Sequence, residues 1–157
     1  MDIYFLGSFT CKADAKGRVM LPIALRNQMT PILKDGFYIK KSYYNECLEL
    51  YPAYEWRRVM AELNEKSRFE EENVDFIRMF TDGLRQVEMD ATGRLLIPKD
   101  VIGLVGITKE VKIAPIGKHL EIWDKAAYEK AITASKKDKK ELARRVMVDG
   151  KSKPDVS

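Results

Sequence analysis

Asp14-Ala15-Lys16-Gly17-Arg18 is followed closely by Leu21-Pro22, and Asp90-Ala91-Thr92-Gly93-Arg94 is followed at the same distance by Ile97-Pro98. Aspartate and glycine are turn residues: Asp hydrogen-bonds its own backbone two residues on, and Gly accepts positive φ at little steric cost. Turn chemistry makes no demand for the arginine behind them. One such loop, taken alone, reads as a surface hairpin carrying an Asp–Arg ion pair worth about 0–1 kcal/mol. Its return in a second copy gives the arginine a shared task. The planar guanidinium donates in pairs to a phosphate, or to O6 and N7 of guanine in the major groove, and a two-stranded β-ribbon fits that groove. On this reading Arg18 and Arg94 contact DNA, and Asp14 and Asp90 orient them from behind. Gly17 and Gly93 order the loops, and Lys16 reaches a phosphate from the first tip. Thr92, in place of Lys16, offers the second tip only a hydroxyl.

Two rival chemistries use the same residues or their surroundings. Paired aspartates on related loops are the arrangement by which aspartic proteases share a proton. Here two residues separate each Asp from its Gly, where those enzymes place one, and the adjacent Arg favours an ionised carboxylate. A third reading is an interaction module, an antitoxin or scaffold, served by the acidic and Lys-rich segments. The single histidine, His119, and the two cysteines, Cys11 and Cys47, form no metal-ligand spacing or disulfide framework, and all three read as packing residues.

The elements that position the loops follow from an internal repeat. A shift of 76 residues superposes Asp14 on Asp90, Gly17 on Gly93, Arg18 on Arg94 and Pro22 on Pro98; further on, Leu48-Glu49-Leu50-Tyr51 matches Leu120-Glu121-Ile122-Trp123 at a shift of 72. In the first copy, alternation at Phe9, Cys11 and Ala13 predicts a strand that turns back into a strand at 18–21. Pro22 and Pro98 predict short helices over Ile23–Met29 and Lys99–Leu104. A second hairpin follows in each copy, over 36–41 with 46–51 and over 110–114 with 119–123. Each copy is therefore β-β-α-β-β. Helices are expected over 52–66 and 70–80 and again from Asp124 onward, where Asp124 is a good N-cap.

The formal charge is +4, yet it is unevenly spread: +3 over 1–61, −5 over 62–90, +2 over 91–123 and +4 over 124–157. That distribution makes 55–82 an acidic helical spacer between two basic units, a pattern compatible with a polyanion partner. No stretch approaches the roughly 20 apolar residues of a membrane span, and the first residues do not form a basic leader, so a cytoplasmic protein is expected.

The doubled Asp-x-x-x-Arg motif with its trailing Leu-Pro or Ile-Pro, together with Leu120-Glu121-Ile122-Trp123-Asp124, resembles the MraZ family of bacterial proteins built from two SpoVT-AbrB-type domains. The likeness covers about residues 5–130. It implies an α+β fold, mostly β: a pseudo-twofold, swapped-hairpin AbrB-like barrel with linking and C-terminal helices. The units expected are 8–54 and 83–126 as the two SpoVT-AbrB-type domains, 55–82 as the spacer, 127–148 as a C-terminal helix and 149–157 as a disordered tail. It also implies a ring-forming homo-oligomer that binds double-stranded DNA at promoter repeats of the division and cell-wall gene cluster. Such a protein is a nucleoid-associated regulator, usually a repressor. Carried over by motif position, Arg18 and Arg94 are the DNA-contacting residues. No cofactor, membrane or small-molecule substrate is expected.

Overall fold

The computed structural model describes residues 3–134 and 139–149. The first copy runs β1 (Phe9–Lys12), β2 (Arg18–Met20), α1 (Ile23–Met29), a 3-10 helix (Thr30–Asp35), β3 (Phe37–Lys41) and β4 (Leu48–Pro52). Two helices, α2 (Ala53–Asn64) and α3 (Glu71–Thr81), lead to the second copy: β5 (Arg85–Val87), β6 (Arg94–Leu96), α4 (Lys99–Leu104), β7 (Glu110–Ile116) and β8 (His119–Asp124). Then come α5 (Lys125–Ala134), α6 (Lys139–Arg144) and a π-helical turn (Arg145–Asp149). Of the helix expected over 127–148, residues 135–138 lie outside the described residues, as does the tail beyond 149.

Helices α1, α2 and α4 each begin directly after a proline, Pro22, Pro52 or Pro98, with φ between −58° and −56° and extended ψ. The ring's fixed φ costs nothing there, and its missing N–H is not called on by the first helical turn. Asp124 caps α5, its Oδ2 accepting from the Ala127 N–H at 3.1 Å. The 3-10 helix was not expected from periodicity. Pro31 starts it and Gly36, at φ +74°, ends it.

The eight strands are antiparallel and form two sheets, one of six strands in the order β1-β7-β8-β4-β3-β5 and one of two, β2-β6. Exchanging copies turns β1 into β5, β7 into β3 and β8 into β4, so the six-strand order reads the same from either edge. The registers agree with this. Glu49 pairs with Glu121, and Val19 pairs with Leu95, each residue facing its own repeat equivalent across the pseudo-twofold axis. The first hairpin of each copy differs from a plain hairpin: β1 and β2 meet only at the bridge Ala13↔Val19, and β5 and β6 extend to the equivalent bridge Met89↔Leu95. Each arm instead pairs along its length with the other copy, β1 with β7 and β5 with β3. Paired only with the three-residue β2 or β6, these arms would be marginal, and exchange gives β1 and β5 longer partners in β7 and β3.

Between the sheets lies one apolar core, with Val19, Leu25, Met29, Ile39, Leu48, Leu95, Val111 and Ile122 fully buried. Strand β4 is buried along its whole length because both of its faces are covered. Its Leu48 and Leu50 enter the core. Glu49 and Tyr51 point the other way, beneath the spacer helices, where Tyr51 lies 5.1 Å from Trp56 and Trp56 stacks on Phe80 at 6.0 Å. Here Lys40, fully buried, donates from Nζ to Glu49 Oε1 at 3.0 Å and sits 4.2 Å above the Phe80 ring. The Tyr51 hydroxyl donates to the same oxygen at 2.9 Å. The acidic spacer is thus also the lid over a buried ion pair. Removing one partner of such a pair strands the other charge in low dielectric. Glu49→Ala should therefore lower unfolding free energy by about 3–5 kcal/mol in a denaturant titration, and Lys40→Met combined with Glu49→Leu should recover most of that loss; equal stability of Glu49→Ala and wild type would contradict this account.

Candidate nucleic-acid interface

Both motif loops have the same internal geometry. In the first, the Gly17 N–H donates to the Asp14 carbonyl at 3.0 Å and the Asp14 N–H to the Arg18 carbonyl at 2.9 Å, closing a turn around 15–17. Asp14 Oδ1 accepts from the Lys16 and Arg18 N–H groups, both at 2.9 Å, and Oδ2 accepts from Arg18 Nε at 2.6 Å. In the second, Asp90 Oδ1 accepts from the N–H groups of Thr92 at 3.0 Å and Arg94 at 2.9 Å, and Oδ2 accepts from Arg94 Nε at 2.8 Å. Thr92 offers the second tip a hydroxyl, and that hydroxyl turns back into the loop. Its Oγ1 donates to Asp90 Oδ1 at 2.8 Å, so its proton is committed inside the loop. Lys16, by contrast, is exposed at the first tip.

The ion pairs are made through Nε alone. Among the described residues, no partner is found for the terminal nitrogens of Arg18 or Arg94, and these side chains are 33% and 32% exposed. Each aspartate therefore fixes the guanidinium plane while leaving the outer edge of its fork to a ligand. Both carboxyls are held below the ordinary aspartate range, first by the backbone N–H of Arg18 or Arg94 and then by the remaining loop donors and the guanidinium, against some desolvation. They are consequently ionised at neutral pH. Neither loop bonds the other's aspartate, and all four carboxylate oxygens accept from their own loop, so the two acids do not form a proton-sharing dyad.

Where the two arginines point follows from the β2–β6 register: Arg18↔Leu96, Val19↔Leu95, Met20↔Arg94. Val19 and Leu95 turn inward with no exposure. Alternation then places Arg18, Met20, Arg94 and Leu96 together on the outward face of one ribbon. The arginines are diagonal neighbours, with backbone separation of about 7–8 Å.

Each loop tip rests on the opposite copy. The Leu21 N–H, at the end of β2, donates to the Gly93 carbonyl at 3.1 Å. Gly17 and Gly93 have φ of +86° and +91°, and neither leaves room for a side chain. A Cβ on Gly17 would press into the Ile97 carbonyl and lie 3.5 Å from Ile102; one on Gly93 would lie 2.6 Å from Arg26 Cδ. Arg26 is a residue that the sequence reading missed. Its Nε donates to the Leu21 carbonyl at 2.9 Å, which holds its guanidinium against the second tip. Its repeat equivalent is Ile102, so duplication gave no signal for it. At the first tip the neighbour is backbone: the Cα of Lys99, at the start of α4, lies 3.5 Å from the position of a Gly17 Cβ.

Other candidates carry no reactive chemistry. Burial pushes the Cys11 thiol up to about 11 and the Cys47 thiol higher still, so both are protonated at neutral pH. Desolvation lowers the His119 pKa, leaving a neutral ring stacked 4.5 Å from Tyr51. No group of three or more metal-ligating side chains occurs among the described residues, and no helix among them is long and apolar enough to cross a membrane.

A family model described as an antitoxin-like MraZ protein matches the chain twice, over residues 4–79 and 79–149. The chain belongs to the MraZ family. Relatives named Transcriptional regulator MraZ include one from Christiangramia forsetii, 48% identical over 145 residues that cover 92% of this chain and 94% of that protein. Another, from Flavobacterium psychrophilum, is 47% identical over 90% of both chains. A third, from Bacteroides fragilis, is 36% identical over 82% of both. The family match and these relatives indicate no enzymatic family. The double match agrees with the palindromic strand order: this chain is two repeats wound around one core.

Because the lowered carboxyl pKa values reflect donors present only in the folded loop, their contribution to loop stability is complete above the unfolded value of about 3.9 and is lost as pH falls through the folded values. Carboxyl 13C shifts of Asp14 and Asp90 should therefore stay flat from pH 8 to 5 and titrate below the range of free aspartate; a midpoint at or above that range for either would contradict the loop geometry. Gly93→Ala, forced to φ +91° against Arg26, should cost about 1–3 kcal/mol in a thermal unfolding series.

Proposed function

We propose that this protein is a transcriptional regulator that grips double-stranded DNA with the outward face of its β2–β6 ribbon, Arg18 and Arg94 supplying the paired guanidinium contacts. Lys16, Lys99 and Arg26 flank them and contact phosphates. The observation that carries this reading is the pair of arginines on one ribbon face, each tethered by Nε with its terminal nitrogens unpartnered among the described residues. The names of its MraZ relatives support the same assignment. Asp14, Gly17, Asp90 and Gly93 order the loops. The protein works in the cytoplasm on nucleoid DNA, at repeated promoter elements of the division and cell-wall gene cluster, as a repressor.

A ring of protomers gives the modest charge of +4 enough grip. When one loop pair binds, the next repeat meets its own protomer at a high effective concentration, so weak contacts combine into tight binding. The apolar side chains left at the C-terminal end, Ile132, Leu142, Val146 and Met147, are exposed in the single chain and support a contact between protomers. Units 8–54 and 83–126 act as the two SpoVT-AbrB-type domains, with 55–82 as the spacer between them.

A mobility-shift titration against DNA upstream of the protein's own gene, with scrambled DNA as control, tests the assignment. Arg18→Ala with Arg94→Ala should remove specific binding, at about 1–3 kcal/mol per arginine, while circular dichroism and sedimentation stay unchanged. Wild-type affinity should fall steeply with salt, because each neutralised phosphate releases counterions. Unchanged affinity in the folded double variant would overturn the proposal.

A further inference from the structure

The two arginines are only half of the ribbon's outward face. Met20 sits directly opposite Arg94, and Leu96 directly opposite Arg18. Met20 is 45% exposed and Leu96 is half-buried. A lone exposed apolar residue needs no explanation. Here the apolar position recurs: both copies place one two residues after the arginine, and the register sets the two symmetrically about Val19↔Leu95. Each lies across from a guanidinium, with Cβ atoms about 4.5–5.5 Å apart.

We infer that Met20 and Leu96 determine specificity by contacting the C5-methyl groups of thymines beside the bases read by Arg18 and Arg94. This inference rests on the DNA-binding assignment above. The major-groove edges of the four bases carry donors and acceptors for the arginines and a single apolar group, the thymine methyl. An apolar side chain inserted beside an arginine therefore finds a favourable partner at thymine and loses hydration without compensation elsewhere. The cross-strand spacing, set against a rise of about 3.4 Å per base pair, places these thymines one or two base pairs from each arginine contact. Met adapts to the groove through its three rotatable bonds, whereas Leu96 is half-buried, its N–H donating to the Glu88 carbonyl at 3.0 Å. The two half-sites thus prefer thymine with different stringency.

The test uses the full-length protein and two duplexes of the upstream region, one made with thymidine and one with deoxyuridine throughout, which differ only in the C5-methyl groups. Wild type should bind the thymidine duplex more tightly, by roughly fourfold for each methyl contact. Met20→Ala, at an exposed position, should bind both duplexes with a reduced ratio, and Met20→Ala with Leu96→Ala should bind them equally. Met20→Leu should keep the preference, which separates apolar contact from disturbance of the fold. Equal wild-type affinity for the two duplexes overturns the inference and leaves DNA binding standing. A uracil penalty that persists undiminished in the double variant assigns the effect to DNA shape and also overturns it. Failure of wild type to bind either duplex removes the DNA-binding assignment and this inference together.

Discussion

Everything at the site depends on the pairing of two three-residue strands. Val19 and Leu95 face each other with no exposure, and their burial fixes the register of the β2–β6 ribbon. A slip of one residue would invert one strand relative to the other, turning its arginine toward the core and Val19 or Leu95 outward, because side chains alternate with a period of two. The arginines cannot be buried unpaired without a large desolvation penalty, so the core and the surface demand the same register. The long sheet reinforces it, since the pseudo-twofold axis that passes between Val19 and Leu95 also passes between Glu49 and Glu121.

The motif loops add orientation to this placement. An aspartate that accepts two backbone N–H groups and the adjacent Nε costs its arginine conformational freedom before any ligand arrives, and the entropy so removed is not lost again on binding. The pair contributes little to stability at such exposure. Its value lies in holding the fork's outer edge toward solvent. Exchange between copies then ties each tip to the other half of the chain, Gly93 against Arg26 and Leu21, Gly17 against Ile97 and Ile102. Neither loop is independent of its partner, so the two guanidiniums form one rigid unit.

Much of this was legible in the chain because duplication writes each constraint twice. The turns, the arginines behind them and the short helices after Pro22 and Pro98 recur with fixed spacing, and the helix bounds 23–29 and 99–104 coincide with α1 and α4. What duplication leaves silent is pairing between copies: local alternation marks β1 and β2 as strands but contains nothing about β7 or β6. The 3-10 helix over Thr30–Asp35 follows no period that a helix or strand template detects. Arg26 escaped notice because its counterpart is Ile102, and a residue used in one copy only has no echo. The Lys40–Glu49–Tyr51 cluster was likewise hidden, since a charged residue in an alternating strand reads as solvent-facing until a helix such as α3 is known to cover it.

Asymmetry between the copies is as informative as their likeness. The first tip has an exposed Lys16 and Lys99 nearby, and the second has Thr92 folded onto Asp90 with Arg26 at its flank. One chain therefore offers two similar but unequal half-grips, a property that a symmetric dimer of identical chains lacks. The most direct measurement of the central claim is a structure of the protein bound to one promoter repeat. The account predicts Arg18 and Arg94 of a single protomer within hydrogen-bond distance of the same duplex, on one side of it, with Asp14 and Asp90 still bonded to their Nε atoms. Arginines of one protomer on separate duplexes, or turned away from the DNA, would contradict it.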